Sequence, residues 1–217
     1  MYEFLMKIGF SKEDSEYLSS VCDTLTEDKE IKIMADIENI GINEYLKKIG
    51  FDEEEIEEIL EYANSEIDRK VLHEKVKYLI SLGLEARQIR IVLEEDLLFM
   101  TEDIEMIKEN GAFLVTILDE EEIKNTIETT PEILTVKKED LERNYNLLKL
   151  VIPDEESLKI VIQDRGELLT YKPDYLSDKF TFFVSEGLKD NILKIIIDNV
   201  EVFDLDNDEI DLEELKY

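Results

Sequence analysis

Apolar residues recur along this chain at a nearly constant spacing. An apolar pair opens six successive segments that are 33 to 41 residues apart: Phe4-Leu5, Tyr45-Leu46, Tyr78-Leu79, Phe113-Leu114, Leu147-Leu148 and Phe182-Phe183. In four segments a glycine follows the second apolar residue by four positions, and another apolar residue comes next; these glycines are Gly9, Gly50, Gly83 and Gly187. A period in this range is typical of helical-repeat proteins, whose repeats bury their apolar faces by stacking on neighbours.

The pattern after residue 80 predicts the first helix of each repeat. The apolar anchors of this helix are 34 or 35 residues apart: Ile89, Ile123, Leu158 and Ile192. The positions three and four residues after each anchor complete one face of a helix. Eight residues after the anchors stand Leu97, Pro131, Gly166 and Val200. Proline and glycine at this position predict that the first helix has ended there.

A short apolar turn and a second helix are predicted next. The turn, expected to be irregular or 3₁₀, contains Met100, Leu134, Leu169 and Phe203, and the second helix opens with Ile107, Leu141, Leu176 and Ile210. Asp119 and Glu122 have the spacing of a capping box, and Pro173 suits a first helical turn. Each repeat is therefore predicted to be a helix, a brief turn and a helix.

The repeat runs through the whole sequence and predicts one all-α domain, residues 1–217. We expect a right-handed solenoid of about six helix-turn-helix units, with residues 1–44 as an N-terminal cap unit, 45–182 as central repeats and 183–217 as a C-terminal cap unit. Glu214 stands where preceding units have Tyr145 and Phe180. A terminal helix with no successor is expected to become polar in this way.

The segment from Ile123 through Pro131 and Leu134 to Leu147-Leu148 resembles the repeat of the mitochondrial transcription termination factor (mTERF) family. The segments around Gly83-Leu84 and Gly187-Leu188 are also similar to that family's inter-repeat turns. The resemblance covers roughly residues 45 to 217 and implies helix pairs joined by 3₁₀ turns. The family's nucleic-acid binders line a groove with Lys and Arg, whereas this chain is strongly acidic.

The net charge of the chain limits the classes of partner that we expect. The chain has 56 acidic and 25 basic residues and a net charge of −31. Nucleic acids and anionic lipid surfaces attract basic proteins, so we expect a basic protein surface as partner, and no membrane. No stretch approaches the ~20 apolar residues of a membrane span. The N-terminal residues do not resemble a signal peptide, so we expect a soluble, intracellular and cytoplasmic protein.

The residue after each first-helix anchor is basic in three repeats: Arg90, Lys124 and Lys159. These residues would form a stripe along one side of the stacked helices. One interpretation is a basic stripe that binds a partner. The other is a solvated row that pairs with nearby acids, such as Glu94 and Glu128 four residues after Arg90 and Lys124.

Other candidate chemistry is sparse. Asp204, Asp206 and Asp208 imitate the start of a calcium loop, but Glu209 replaces the required glycine and Leu215 the closing glutamate. A loose divalent-ion site is the alternative to a helix-capping acidic turn.

The single histidine and single cysteine do not indicate a catalytic pair. His73 has the pattern of ordinary helix surface, and Cys22 that of a small buried apolar residue. No phosphate-binding loop or nucleophile elbow occurs. We therefore predict no metal, no cofactor and no enzymatic activity.

Three functions remain as hypotheses. The first is a non-enzymatic helical-repeat protein whose acidic surface binds a basic protein. The second is a nucleic-acid mimic that inhibits a DNA- or RNA-binding enzyme. The third is nucleic-acid binding by a localised basic groove, using the predicted stripe together with Lys137, Lys138 and Arg143.

Overall fold

A computed structural model describes residues 40–213 and residue 215. The described residues are predominantly helical and contain no strand, which confirms the all-α prediction for this part of the chain. The chain divides into two compact parts, residues 1–60 and 61–217. The organisation as one domain stays a prediction. Phe4-Leu5, Gly9, Cys22 and Glu214 lie outside the described residues.

Eleven α-helices occur among the described residues. They are α1 Ile42–Lys48, α2 Glu53–Tyr62, α3 Glu66–Ser81, α4 Ala86–Glu95, α5 Leu97–Thr101, α6 Ile104–Ile117, α7 Glu120–Thr129, α8 Lys138–Val151, α9 Glu155–Asp164, α10 Pro173–Ser185 and α11 Ile192–Asp198. Short 3₁₀ helices are Pro131–Leu134, Gly166–Leu169, Lys189–Asn191 and Val200–Phe203.

The predicted first helices end at equivalent positions. Helices α4, α7, α9 and α11 each end six residues after their anchors Ile89, Ile123, Leu158 and Ile192. The anchors and the residues three and four positions later are all buried. The apolar periodicity therefore identified the buried face of these helices correctly.

Both predicted caps are present. The Asp119 carboxylate accepts from the Glu122 amide at 3.0 Å, and the Asp119 amide donates to the Glu122 carboxylate at 2.7 Å. This reciprocal pair satisfies two amides that the first turn of α7 leaves without helical partners. Pro173 occupies the first turn of α10, where its missing N–H has no cost.

Helices of the same kind pack on one another within residues 61–217. The first helices α4, α7 and α9 pack in that order. The second helices α3, α6, α8 and α10 do likewise, and the 3₁₀ helix at Pro131 packs against the one at Gly166. The repeat of about 34 residues predicts this arrangement, in which each helix buries its apolar face against the equivalent helix of the next repeat. The right-handed, mTERF-like solenoid stays a prediction.

The recurring glycine is explained by a helix-ending turn. Gly50, Gly83 and Gly187 have φ values of 104°, 88° and 79°. After each glycine, the next amide donates to the carbonyl of the second residue of the apolar pair: Phe51 to Leu46, Leu84 to Leu79 and Leu188 to Phe183. This is the Schellman motif, which favours glycine because a side chain is strained at positive φ. The seven-residue signature therefore encodes both the turn and its buried apolar contact.

We expect Gly187→Ala to lower the free energy of unfolding by about 1 kcal/mol, because the left-handed conformation disfavours a Cβ atom. A Cβ at Gly187 would meet no atom within 4 Å, so the effect isolates the backbone. Asparagine tolerates this conformation better, so Gly187→Asn should cost less than alanine. Urea denaturation measures the series, with the neighbouring exposed Glu186→Ala as the control. Equal stability of the alanine variant and the control would contradict this explanation.

Two predictions about the turns and second helices were wrong. In the first turn, residues 97–101 are α-helical, and Phe99 is buried where Met100 was expected to be. The Asp96 side chain accepts from the Leu98 amide at 3.1 Å and caps this short helix. The turns at Pro131, Gly166 and Val200 have no such side-chain cap.

The last predicted second helix is also absent from the described residues. Ile210 is buried, but residues 206–213 form turns. This segment contains several Asp and Glu residues and no Lys or Arg. Aspartate and asparagine are weak helix formers, and like charges on one helix face repel, so the segment does not favour a helix.

Candidate functional site

The three residues of the predicted basic stripe lie on successive first helices, and each contacts carboxylates. Arg90 Nε is 2.5 Å from Glu94 Oε1, as the second interpretation predicted. Lys124 Nζ is 2.9 Å from Glu121 and 3.3 Å from Glu120. Hydrogen bonding to Glu121 raises the pKa of Lys124 above its ordinary value. The stripe is therefore compensated by acids, and its role in partner binding stays a prediction.

Lys159 connects two helices. Its ammonium on α9 lies 3.2 Å from Glu122 on α7, and this hydrogen bond raises the pKa of Lys159. Glu128 does not pair with Lys124, so that part of the prediction was wrong. It lies instead against α4, where it accepts from Arg87 and, at 3.0 Å, from Gln88 Nε2. These pairs join residues of different helices and depend on how the helices stack. The spacing of charged residues within one helix therefore does not predict them.

Two of the additional bases also pair across neighbouring helices. Arg143 on α8 lies 2.8 Å from Asp174 on α10. Lys138 on α8 lies 3.8 Å from Glu109 on α6. Such exposed pairs contribute little stability, but they place carboxylates close to bases that would otherwise face solvent.

The second helices carry a row of buried donor side chains that the sequence analysis missed. We call this row the donor ladder; its members are Lys75, Asn110, Asn144 and Lys179. All four are at most 2% exposed. Each lies three residues after a buried apolar residue of its helix, on the face turned to the protein interior. A polar residue recurring every 34 or 35 positions within an apolar face could have revealed the ladder.

Each rung of the donor ladder bonds main-chain carbonyls within or just beyond the following turn. Asn110 Nδ2 donates to the carbonyls of Leu134 at 3.0 Å and Val136 at 2.7 Å. Asn144 Nδ2 donates to those of Leu169 at 3.0 Å and Tyr171 at 2.6 Å. Because buried carbonyls need donors, these side chains fix the turn against the second helix that precedes it.

Lysine replaces asparagine in the two outer rungs. Lys75 Nζ donates to the carbonyls of Phe99 at 2.7 Å and Met100 at 2.9 Å. Burial lowers the pKa of Lys75, and the nearby carboxylates of Glu102, Asp103 and Asp96 oppose that shift. Asp96 is itself buried and accepts from the Thr135 hydroxyl at 2.9 Å. At this end of the ladder the charge of buried Lys75 is therefore compensated by three carboxylates, of which Asp96 is buried.

The calcium-like loop is organised around the other lysine. Lys179 Nζ donates to the carbonyl of Leu205 and, at 3.0 Å, to Asn207 Oδ1. Burial lowers the pKa of Lys179, opposed by the charges of Asp206, Asp204 and Glu209. The ammonium thus bonds two oxygens of the loop and lies near the loop's carboxylates. A buried positive charge beside these carboxylates disfavours a divalent ion there, but residues 206–213 contain no helix that the acidic turn could cap.

The remaining candidate residues form no cluster. His73 is half-buried on α3, as expected for a residue of a helix surface. Among residues 40–213 and 215, no three His, Cys, Asp or Glu side chains are grouped so that they could hold a metal ion. None of the helices in the same range has the length and apolar content needed to cross a bilayer.

Two grooves open where second helices meet the next first helices. The first, with a volume of about 460 Å³, is here called the Gly83 groove; its lining includes Ile80, Val115, Asp119 and Glu120. It lies between the ends of α3 and α6 and the start of α7. A Cβ at Gly83 would lie 2.7 Å from Glu120 Oε1, so the glycine lets this carboxylate approach the turn.

The second groove, of about 450 Å³, is here called the Tyr145 groove. It lies between the end of α6 and helices α8 and α9, and its lining includes Tyr145, Lys149, Glu155 and Lys159. The Tyr145 ring contacts Phe113 edge-on at a centroid distance of 5.6 Å, and Lys149 Nζ lies 5.9 Å from the Tyr145 centroid. This groove has an aromatic wall and balanced charges.

Both grooves have polar as well as apolar walls. Their residues offer apolar contact surface and charged groups, the combination that concave binding sites use. No protein-family model matches the chain, and no curated protein matches it.

Proposed function

We propose that this chain is a non-enzymatic helical-repeat protein, an acidic mTERF-like α-solenoid, that binds a basic surface of a partner protein. The observation that carries the proposal is that several bases pair with carboxylates of neighbouring helices while the chain keeps a net charge of −31. Lys159 and Arg87 pair with carboxylates of the adjacent first helix, and Arg143 pairs across second helices.

Electrostatics explains why a basic protein is the expected partner. Since the named bases are engaged by neighbouring acids, the remaining excess charge on the surface is negative. A negative field attracts a basic protein over a Debye length of roughly 10 Å at moderate salt and accelerates association. Specific complexes use such complementarity to orient partners and exclude wrong ones.

Nucleic-acid binding is a weaker proposal for the same reason. It needs bases that can neutralise phosphates. Of the six bases that the sequence analysis named for this role, Arg90, Lys124, Lys159, Lys138 and Arg143 lie within 4 Å of a carboxylate. A phosphate backbone would have to displace these acids and would meet further acidic residues.

Capture from lysate tests the proposed function. Immobilised protein should retain basic proteins at about 50 mM salt and release them at about 500 mM, because screening shortens the range of charge attraction. Nuclease treatment should leave the retention unchanged. A gel-shift titration with duplex DNA and with RNA, in the same low-salt buffer, should show no shift.

Three results would contradict or redirect the proposal. Retention of no basic protein at low salt would reject it. A gel shift that disappears steeply as salt rises would favour nucleic-acid binding instead. Retention mainly of enzymes that act on nucleic acid, with their activity inhibited, would identify the chain as a nucleic-acid mimic.

A further inference from the structure

The Gly83 and Tyr145 grooves are neighbours that share two lining residues. Leu118 and Asp119 line both of them, at the point where α6 ends and α7 begins. Leu118 is buried and forms part of the shared wall, while the Asp119 carboxylate caps α7 through the Glu122 amide. Two grooves that share Leu118 and Asp119 at a helix end lie side by side and are here called the joined grooves.

This surface offers apolar contact area. Val115, on the wall of the Gly83 groove, is 57% exposed, and Ile80 beside it is half-buried. In the Tyr145 groove, half-buried Tyr145 adds an aromatic face above buried Leu158. Exposed apolar residues grouped in a concave surface with a polar rim are typical of an interaction site.

The charge of the surface changes along its length. The Gly83 groove is lined by Asp119 and Glu120 and by no basic residue. Lys124 approaches Glu120 from its own helix at 3.3 Å, so Glu120 is only partly compensated. The Tyr145 groove combines Asp119 and Glu155 with Lys149 and Lys159. A ligand that fits both grooves must therefore be apolar on one side and basic beside the first groove.

We propose that the joined grooves bind a basic amphipathic helix of a partner protein. Adjacent packed helices lie roughly 8–10 Å apart, and seven residues of an α-helix span about 10.5 Å, so apolar residues seven apart on one face can reach both grooves. Lys or Arg on the flank of that helix lies beside Asp119 and Glu120. Helix-in-groove binding uses this combination of apolar anchors and flanking charge. The inference rests on the proposed function and assigns it a location.

A synthetic peptide tests the location directly. The probe is an 18-residue leucine–lysine helix with leucines on one face, labelled for fluorescence anisotropy. The reference peptide has the same composition, with the leucines distributed around the helix. At about 50 mM salt, where charges are weakly screened, the amphipathic probe should bind the full chain at least about tenfold more tightly than the reference.

Matched substitutions separate apolar contact from charge. Val115→Asp removes an exposed apolar group inside the Gly83 groove, and Ile160→Asp makes the same change at a 50% exposed residue that lines neither groove. Attraction by charge alone predicts tighter binding of the basic probe to both variants. The groove predicts about tenfold weaker binding to Val115→Asp and none of that loss in Ile160→Asp. Urea denaturation verifies that both variants remain folded.

Each other outcome has a distinct meaning. Equal binding of the two peptides, or tighter binding of the probe to Val115→Asp, rejects the joined grooves as the binding site. The proposed function is not affected by that result. Failure of both peptides to bind, while the lysate experiment retains basic proteins, also rejects only the groove. Failure of both peptides together with an empty lysate capture rejects the groove and the proposed function.

Discussion

Replacing Asn144 by leucine should lower the free energy of unfolding by about 2–4 kcal/mol. The substitution leaves the carbonyls of Leu169 and Tyr171 without their donor, and a buried polar group without a partner costs roughly 1–3 kcal/mol. Leucine has a similar volume, so loss of packing contributes little. Urea denaturation gives the free energy, and an unchanged dependence on urea would show that the folded state stays compact.

Two further variants make the Asn144 experiment specific. Asn144→Lys should recover part of the loss, because lysine performs the same bonding in the rungs at Lys75 and Lys179. Arg143→Leu, at the adjacent exposed position, removes only the pair with Asp174 and should cost less than about 1 kcal/mol. If the Asn144→Leu and Arg143→Leu variants were equally stable, the hydrogen bonds of the donor ladder would not contribute to the free energy of unfolding.

Replacing Gly111 by leucine should destabilise the protein by about 2–3 kcal/mol, the usual cost of overpacking a filled interior. Gly111 lies on α6 where it packs on α3. A Cβ there would be 2.3 Å from Tyr78 Oη and 3.0 Å from the ring carbons Cε1 and Cζ. Tyr78 is also held in place, since its hydroxyl donates to the Lys108 carbonyl at 3.0 Å.

The Gly111 prediction has a control in the next residue. Ala112 is exposed on the same helix, so Ala112→Leu should change stability by less than about 0.5 kcal/mol. Tyr78→Leu should reduce the cost of Gly111→Ala, because it removes the atoms that the new Cβ meets. Additive effects of these two changes would mean that Tyr78 does not limit the approach of the helices.

The sequence predicted the helices and their buried faces well, for a physical reason. A helix face that packs on neighbouring helices must carry apolar residues at 3.6-residue spacing. Because every repeat stacks on its neighbours, the same apolar pattern returns in each repeat. Hence Ile89, Ile123, Leu158 and Ile192 were identified as core, and the ends of their helices followed. The turns were harder, because one capping side chain, Asp96, is enough to make residues 97–101 α-helical.

The candidate site was less accessible from the sequence. The stripe of Arg90, Lys124 and Lys159 is present, but its ion pairs follow from how helices stack. Lys159 meets a glutamate 37 residues away, and Arg87 one 41 residues away. The donor ladder changes from lysine to asparagine and back to lysine along the chain, so no single residue type marks it in the sequence. The grooves arise only where the end of one helix meets neighbouring helices.

The donor ladder has a consequence for how this chain can change over time. Its rungs contact main-chain oxygens, which every amino acid possesses, so the turns they hold can exchange their own side chains without loss of anchorage. Pro131 and Gly166 already differ at one such position while the bonds beyond them remain the same. Outward-facing side chains of the turns are therefore not needed to hold the turns in place. Substitutions there can create new binding surfaces without disturbing the packing of the helices.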